Sequence, residues 1–272
     1  MSISPRPGLG HGLPTVLVAL LIAATVPATA KPATAAVAAS SYHITMGGSD
    51  SNPGTAGAPW RTLQKAANTL GPGMTVFIHP GTYQGFSMYR SGSSGQPIVF
   101  RALPGASRPV ISGTGRMDMI KLSAIHDVTL DGLVVQGAAG GGGSGAGIRI
   151  ENRSTRVVIK NSLIRNNRSY GINVNNSTFV TVSANEVAHN EEGVNVSRAG
   201  AGVVIEGNRI HHQDKLVVNT ANISSDDHGA VGIALVRTTG KVLITKNQLW
   251  ANRAPSYDYG WDGGAFEIYS AS

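Results

Sequence analysis

Gly147-Ile148-Arg149-Ile150, Gly171-Ile172-Asn173-Val174, Gly193-Val194-Asn195-Val196 and Gly232-Ile233-Ala234-Leu235 repeat one pattern: a glycine, then an apolar, a variable and an apolar residue. The first three copies begin 24 and 22 residues apart, and the fourth follows 39 residues later. A period in the low twenties is the signature of a solenoid in which every coil adds one short strand to each of several sheets. Ile120-Lys121-Leu122 and Phe266-Glu267-Ile268 extend the column at both ends. A second apolar column follows it: Val128-Thr129-Leu130, Val157-Val158-Ile159, Val180-Thr181-Val182, Val203-Val204-Ile205 and Val242-Leu243-Ile244. Leu163-Ile164, Val187, Ile210 and Leu249 make a third. Three columns of short strands, with turns between them, predict an all-β chain wound as a right-handed parallel β-helix.

The polar positions keep the same register. Ser162, Asn185, Asn208 and Asn247 precede the third column, and Asn167, Asn190, Gln213 and Asn252 follow it. Amide side chains stacked at the inter-strand spacing of about 4.8 Å form ladders that satisfy buried turn amides, so they are read as structural. Upstream, Trp60, Leu63, Ala67 and Leu70 fall at helical spacing before Gly71-Pro72, which predicts a capping helix over residues 61–70. The sequence stops inside a rung at Phe266-Glu267-Ile268-Tyr269, which leads to the expectation of a chain shortened at its C-terminal end.

The first thirty residues differ in kind. Arg6 precedes an apolar run from Leu13 to Val26, and Ala28-Thr29-Ala30 supplies small residues suited to cleavage. This predicts a signal peptide over 1–30, a short leader over 31–40 and an exported domain over 41–272. The run is too short to span a bilayer. The chain has no cysteine, which excludes disulfides and thiolate chemistry. Its net charge is +7, and cleavage lowers it to +6 because Arg6 is the one counted charge in residues 1–30. The 22 Lys and Arg form no polybasic run, so nucleic acid is not an expected partner and an acidic glycan is. After cleavage the expected protein is monomeric, with no membrane association.

Gly48-Ser49-Asp50-Ser51-Asn52-Pro53-Gly54, then Pro59-Trp60-Arg61-Thr62-Leu63 and Pro80-Gly81-Thr82-Tyr83, resemble the amino-terminal part of secreted β-helix proteins of the pectate-lyase-like superfamily. The resemblance runs through the cap into the rungs. It implies a relationship to polysaccharide lyases and uronate epimerases of the same fold. No lyase motif transfers residue by residue, and Asp226-Asp227-His228-Gly229 matches the polygalacturonase motifs only loosely.

Chemistry is expected in two places. Middle residues of the first column point away from the core, giving an exposed row of Lys121, Arg149, Asn173, Asn195, Ala234 and Glu267 suited to an extended sugar chain. Three insertions leave the coils, at 137–147, 214–230 and 253–264; the first, rich in glycine, is too bare of side chains to do chemistry. The other two leave the same part of successive coils and are expected to meet, placing Asp226, Asp227 and His228 near Asp258 and Asp262. Clustered carboxylates suit Ca²⁺, so Asp226, Asp227 and Asp262 are the candidate metal ligands. Tyr257, Tyr259 and Trp261 offer flat faces for sugar rings. A lyase must neutralise the uronate carboxylate and remove the adjacent proton. His228 is the candidate base, assisted by Asp227, with Lys215 or Arg237 as cationic helper. The expected function is a polysaccharide lyase or epimerase acting on uronate polymers. The alternatives are a non-catalytic glycan-binding solenoid, or a glycoside hydrolase using Asp227 with Asp262.

Overall fold

A computed structural model describes residues 41–140, 144–222 and 227–271. The expected signal peptide and leader, and Asp226, lie outside these residues.

Each apolar column becomes a parallel sheet. The Gly-Ile-x-Val column forms a seven-stranded sheet, here the cleft sheet, whose order runs Phe86–Met88, Ile120–Ser123, Ile148–Glu151, Tyr170–Asn175, Glu192–Ser197, Val231–Val236 and Gly264–Tyr269. The second column forms an eight-stranded sheet that begins with Ser41–Ile44 and ends with Val242–Thr245. The third gives seven short strands, from Thr82–Tyr83 to Gln248–Trp250. Strand order follows chain order in all three, the arrangement of a β-helix, and parallel crossovers wind right-handed. Alternate residues point inward: Ile148, Ile150, Ile172, Val174, Val194 and Val196 are fully buried in one continuous core.

The glycine that opens each repeat has a steric cause. A Cβ on Gly171 would lie 2.6 Å from the Gly193 carbonyl oxygen, and one on Gly193 would lie 2.5 Å from that of Gly232. The coils stack too closely there for any side chain, so the motif needs glycine for contact distance rather than for a turn.

The two polar ladders run inside the stack. Asn185 Oδ1 accepts the Ser162 backbone N–H at 3.0 Å, Asn208 Oδ1 accepts that of Asn185 at 2.9 Å, and Asn247 Oδ1 accepts that of Asn208 at 3.0 Å. In the second ladder Asn190, Gln213 and Asn252 accept in turn from Asn167, Asn190 and Gln213. Each amide satisfies a buried turn N–H of the coil before it, as a folded interior requires.

The cap is shorter than expected, a helix over Leu63–Thr69. Thr62 caps it, its hydroxyl accepting from Lys65 N at 3.1 Å. Asp50 in turn accepts from both Arg61 N and Thr62 N, and this holds Arg61 and Thr62 outside the helix. Trp60, Leu63, Ala67 and Leu70 are buried as predicted.

Replacing Asn185 by Ala orphans the buried Ser162 amide and removes two further bonds from the Asn185 side chain. Urea unfolding should show a loss on the order of 2–3 kcal/mol, against about 0.5 kcal/mol or less for Arg165→Ala at a neighbouring exposed position.

Candidate functional site

The middle residues of the cleft sheet do form a row. Lys121, Arg149, Asn173, Asn195, Ala234 and Glu267 are consecutive register partners across six strands. Its centre is not the open face that alternation predicts: Arg149, Asn173 and Asn195 are 7%, 3% and 5% exposed. At one-coil spacing these side chains pack on one another, and polar neighbours close over them. Arg149 Nε donates to Asp118 Oδ2 at 2.8 Å, and Asn195 Nδ2 to Glu192 Oε2 at 2.7 Å.

Over this row lies a cleft of about 310 Å³ lined by residues that include Arg149, Tyr170, Asn173, Glu192, Asn195, His228 and Glu267. A second cleft, of about 320 Å³, adjoins it and is lined by Asp227, His228, Tyr259, Asp262, Phe266 and Glu267 among others. His228 and Glu267 belong to both, so the two are lobes with His228 at their junction.

His228 stands on a small antiparallel hairpin, Leu216–Val218 paired with His228–Gly229. Gly229 lets the hairpin lie against the coil edge: its φ is +139°, and a Cβ would come within 2.6 Å of the Lys215 carbonyl oxygen and 2.8 Å of Glu191 Cγ. Glu191 Oε1 also accepts from Val217 N at 3.2 Å, which ties the hairpin to the cleft sheet. So fixed, His228 lies between two carboxylates, with Nε2 3.1 Å from Glu192 Oε1 and Nδ1 3.7 Å from Glu267 Oε2.

Those neighbours set its charge. The hydrogen bond to Glu192 chiefly, then the Glu192 and Glu267 charges, outweigh desolvation and raise the His228 pKa to about 9. It is therefore an imidazolium at neutral pH, a proton donor and not the base expected from sequence. Burial, reinforced by Glu192, pushes the Glu191 carboxyl up to about 7. Burial and the same two glutamates push the Tyr170 phenol up to about 12.

The two later insertions meet, as their spacing predicts. Asp258 N donates to Asp227 Oδ2 at 3.0 Å, Asn219 Nδ2 to the Pro255 carbonyl at 3.1 Å, and Tyr257 N to Asn219 Oδ1 at 3.1 Å. Among the described residues, which do not include Asp226, no group of three or more His, Asp or Glu converges on a point that could hold a metal ion. The reason is local. Asp227 spends its carboxylate on Thr220 N, Asp258 N and the Ser256 hydroxyl, pinning one loop to the other, while Asp262 accepts from Gly263 N.

Neither expected cationic helper lines the cleft. Lys215 Nζ donates to the Asn167 carbonyl at 2.8 Å, and Arg237 occupies an exposed left-handed turn where its backbone N–H meets the Tyr269 carbonyl. The cations of the cleft are Arg149 and His228. Tyr257, Tyr259 and Trp261 are exposed on the third insertion; Tyr259 lines the outer lobe, and Arg253 lies over the Trp261 ring at 4.9 Å.

Sequence reasoning missed Glu191, Glu192, Tyr170 and Asp118. A signal existed: Glu192 is the register partner of Tyr170 and Val231, immediately before the rung glycine. An acidic pair at a position that packs against the next coil needs partners.

Residues 42–267 match the family described as Pel9A-like, right handed beta helix region. The chain belongs to this Pel9A-like β-helix family. It is 32% identical over 132 residues to the uncharacterized protein YwoF of Bacillus subtilis, a stretch that is 45% of this chain and 28% of that one. Among solved structures it resembles XylC in complex with xylose at a TM-score of 0.59 and 12% identity, covering 78% of this chain and 60% of that one. For the pectate lyase Pel9A the values are 0.54 and 19%, over 77% and 64%. For the GH136 lacto-N-biosidase of Eubacterium ramulus they are 0.60 and 15%, over 85% and 54%. The chain thus spans less than two thirds of the length of each of these proteins, and the likeness to the solved structures is one of fold. The pectate-lyase-like resemblance read from the sequence holds.

Replacing Glu192 by Gln should bring the His228 titration down from about 9 toward 6.5, read from its imidazole NMR shifts. The wild-type pair contributes stability that is complete below about 6.5 and lost as pH rises through about 9, and Glu192→Gln should flatten that part of the urea-midpoint profile. An unmoved titration would show that Glu192 does not set the charge of His228.

Proposed function

We propose that this chain is carbohydrate-active, that a polysaccharide lies across the cleft sheet, and that its glycosidic bond is broken at His228. The observation that carries the reading is the clasped imidazolium at the junction of two lobes, with a half-exposed carboxylate, Glu267, beside it. The β-helix relatives named for pectate lyase, xylose and lacto-N-biosidase support a glycan as the ligand class.

Cleavage of a glycosidic bond needs a proton on the leaving oxygen and a base on the other partner. His228 is charged at neutral pH and supplies the proton. Glu192, nearly buried and held by Asn195, positions it and keeps it charged. In hydrolysis Glu267 takes a proton from water as the water adds to the sugar carbon, so that one C–O bond forms while another breaks. Asp262, across the outer lobe, is the other carboxylate open to that role.

Uronate lyase or epimerase chemistry is the second reading, favoured by Arg149 at the inner end of the cleft, a cation for a sugar carboxylate. In elimination the base would remove the proton beside that carboxylate, and His228 would again protonate the leaving oxygen. The reading is weaker because each cation of the cleft already faces a carboxylate, Arg149 that of Asp118 and His228 that of Glu192. Export through the segment 1–30 also belongs to this proposal, and mass spectrometry of secreted protein should find the chain starting near Lys31.

The full chain, incubated with neutral and uronate polysaccharides, should release new reducing ends without the ultraviolet absorbance of an unsaturated sugar. Absorbance with uronate substrates would move the assignment to the lyase, and retained binding with no products would leave a glycan-binding solenoid. His228→Ala should lower the rate about 10²-fold to 10⁴-fold, and the wild-type rate should fall as pH passes about 9.

A further inference from the structure

The cleft floor contains a chain of hydrogen bonds with a fixed direction. Glu192 is an acceptor only, as a carboxylate, so the Asn195 amide must turn its Nδ2 toward it, at 2.7 Å from Oε2. That leaves Asn195 Oδ1 to face the next coil, where Asn173 Nδ2 donates to it at 3.2 Å. With its nitrogen committed, Asn173 presents its Oδ1 on the other side of the amide. This atom is buried, belongs to a residue 3% exposed that lines the cleft, and has no hydrogen-bond partner among the described residues. His228 closes the other end of the chain on the second oxygen of Glu192. The orientation of both amides is thus dictated by one carboxylate, and the relay ends in an acceptor without a donor.

An unpaired buried acceptor carries a desolvation cost that a ligand donor removes. The remaining groups point the same way. Glu192 and Glu267 are acceptors at the junction, and the Arg149 guanidinium is already joined to Asp118. A ligand that fits this set brings donors and no negative charge of its own. We propose that Asn173 is the specificity-determining residue of the cleft: its Oδ1 accepts a hydrogen bond from a sugar hydroxyl and selects a neutral glycan over a uronate one. The inference rests on the reading of the cleft as a glycan site, and it departs from the acidic-glycan preference that net charge suggests. Net charge sums over the whole surface, whereas the ligand meets only the local acceptors.

Calorimetric titration of the full chain with xylo- and cello-oligosaccharides, and with oligogalacturonate, tests the proposal. The neutral oligomers should bind more tightly than oligogalacturonate. Asn173→Ala should weaken the neutral oligomers about tenfold while leaving the circular-dichroism spectrum unchanged. Asn173→Asp keeps an acceptor at the same place and should retain more of the affinity than Ala. O-methylated oligomers, which lack the donor, should bind wild type weakly and should lose nothing further in Asn173→Ala. That last comparison stays readable even where the Ala variant is less stable, because it compares two ligands on one protein.

Tighter binding of oligogalacturonate, or an equal loss of methylated and free oligomers on substitution, would overturn the assignment of Asn173 while leaving the glycan site standing. Absence of binding by any of the three oligomer classes would instead overturn the glycan reading itself.

Discussion

Everything here depends on one constraint, the in-register stacking of coils at the spacing of a parallel ladder. That spacing forces a glycine at the head of four successive cleft-sheet strands, Gly147, Gly171, Gly193 and Gly232, because the carbonyl of the next coil occupies the place of a Cβ. It also sets identical polar residues close enough to bond along the stack, so the turn amides that winding buries are satisfied by the side chain of the following coil. The apolar interior is continuous for the same reason: Val157, Val180 and Val203 sit one above another, fully buried in one core.

The site uses that stacking for a second purpose. Arg149, Asn173 and Asn195 come from three successive coils, and the register that aligns the strands also aligns their side chains into a single polar row. Function enters where the periodicity breaks. The hairpin carrying His228 is extruded between the strands Arg209–His211 and Val231–Val236, and it folds back to place an imidazole between carboxylates of coils on either side. Glu191 serves as the anchor, holding the hairpin by Val217 while its own carboxyl is driven up by burial and by Glu192. A rigid solenoid with one tethered hairpin holds the His228 imidazolium at a fixed height above the cleft sheet, where the proposed glycan would lie.

Much of this was legible before any coordinates. The three columns, the two polar ladders and the capping helix follow from periodicity and side-chain type, and each stands where the pattern puts it, the helix with its first turn trimmed to begin at Leu63. The meeting of the insertions after Asp214 and after Arg253 also follows from register, because loops leaving equivalent turns of adjacent coils are neighbours. What the pattern misjudged was exposure and partnership. Alternation correctly turned Asn173 and Asn195 away from the core but left them in water, and only their packing on Glu192 and on one another shows them buried. Asp227 was read as a metal ligand from its type, yet its oxygens hold one backbone amide of its own loop and one of the facing loop.

The sequence by itself determined the coil, its period, its inward faces and the loops that leave it, because those are local or repeat at a fixed interval and side-chain type suffices to read them. Only the tertiary structure decided which charges face which. The imidazolium of His228, the directed amide relay and the lone acceptor of Asn173 arise from distances between residues 3 to 36 positions apart in the chain. Electrostatic coupling depends on those distances and on the exclusion of water, and neither is encoded in any single stretch of residues.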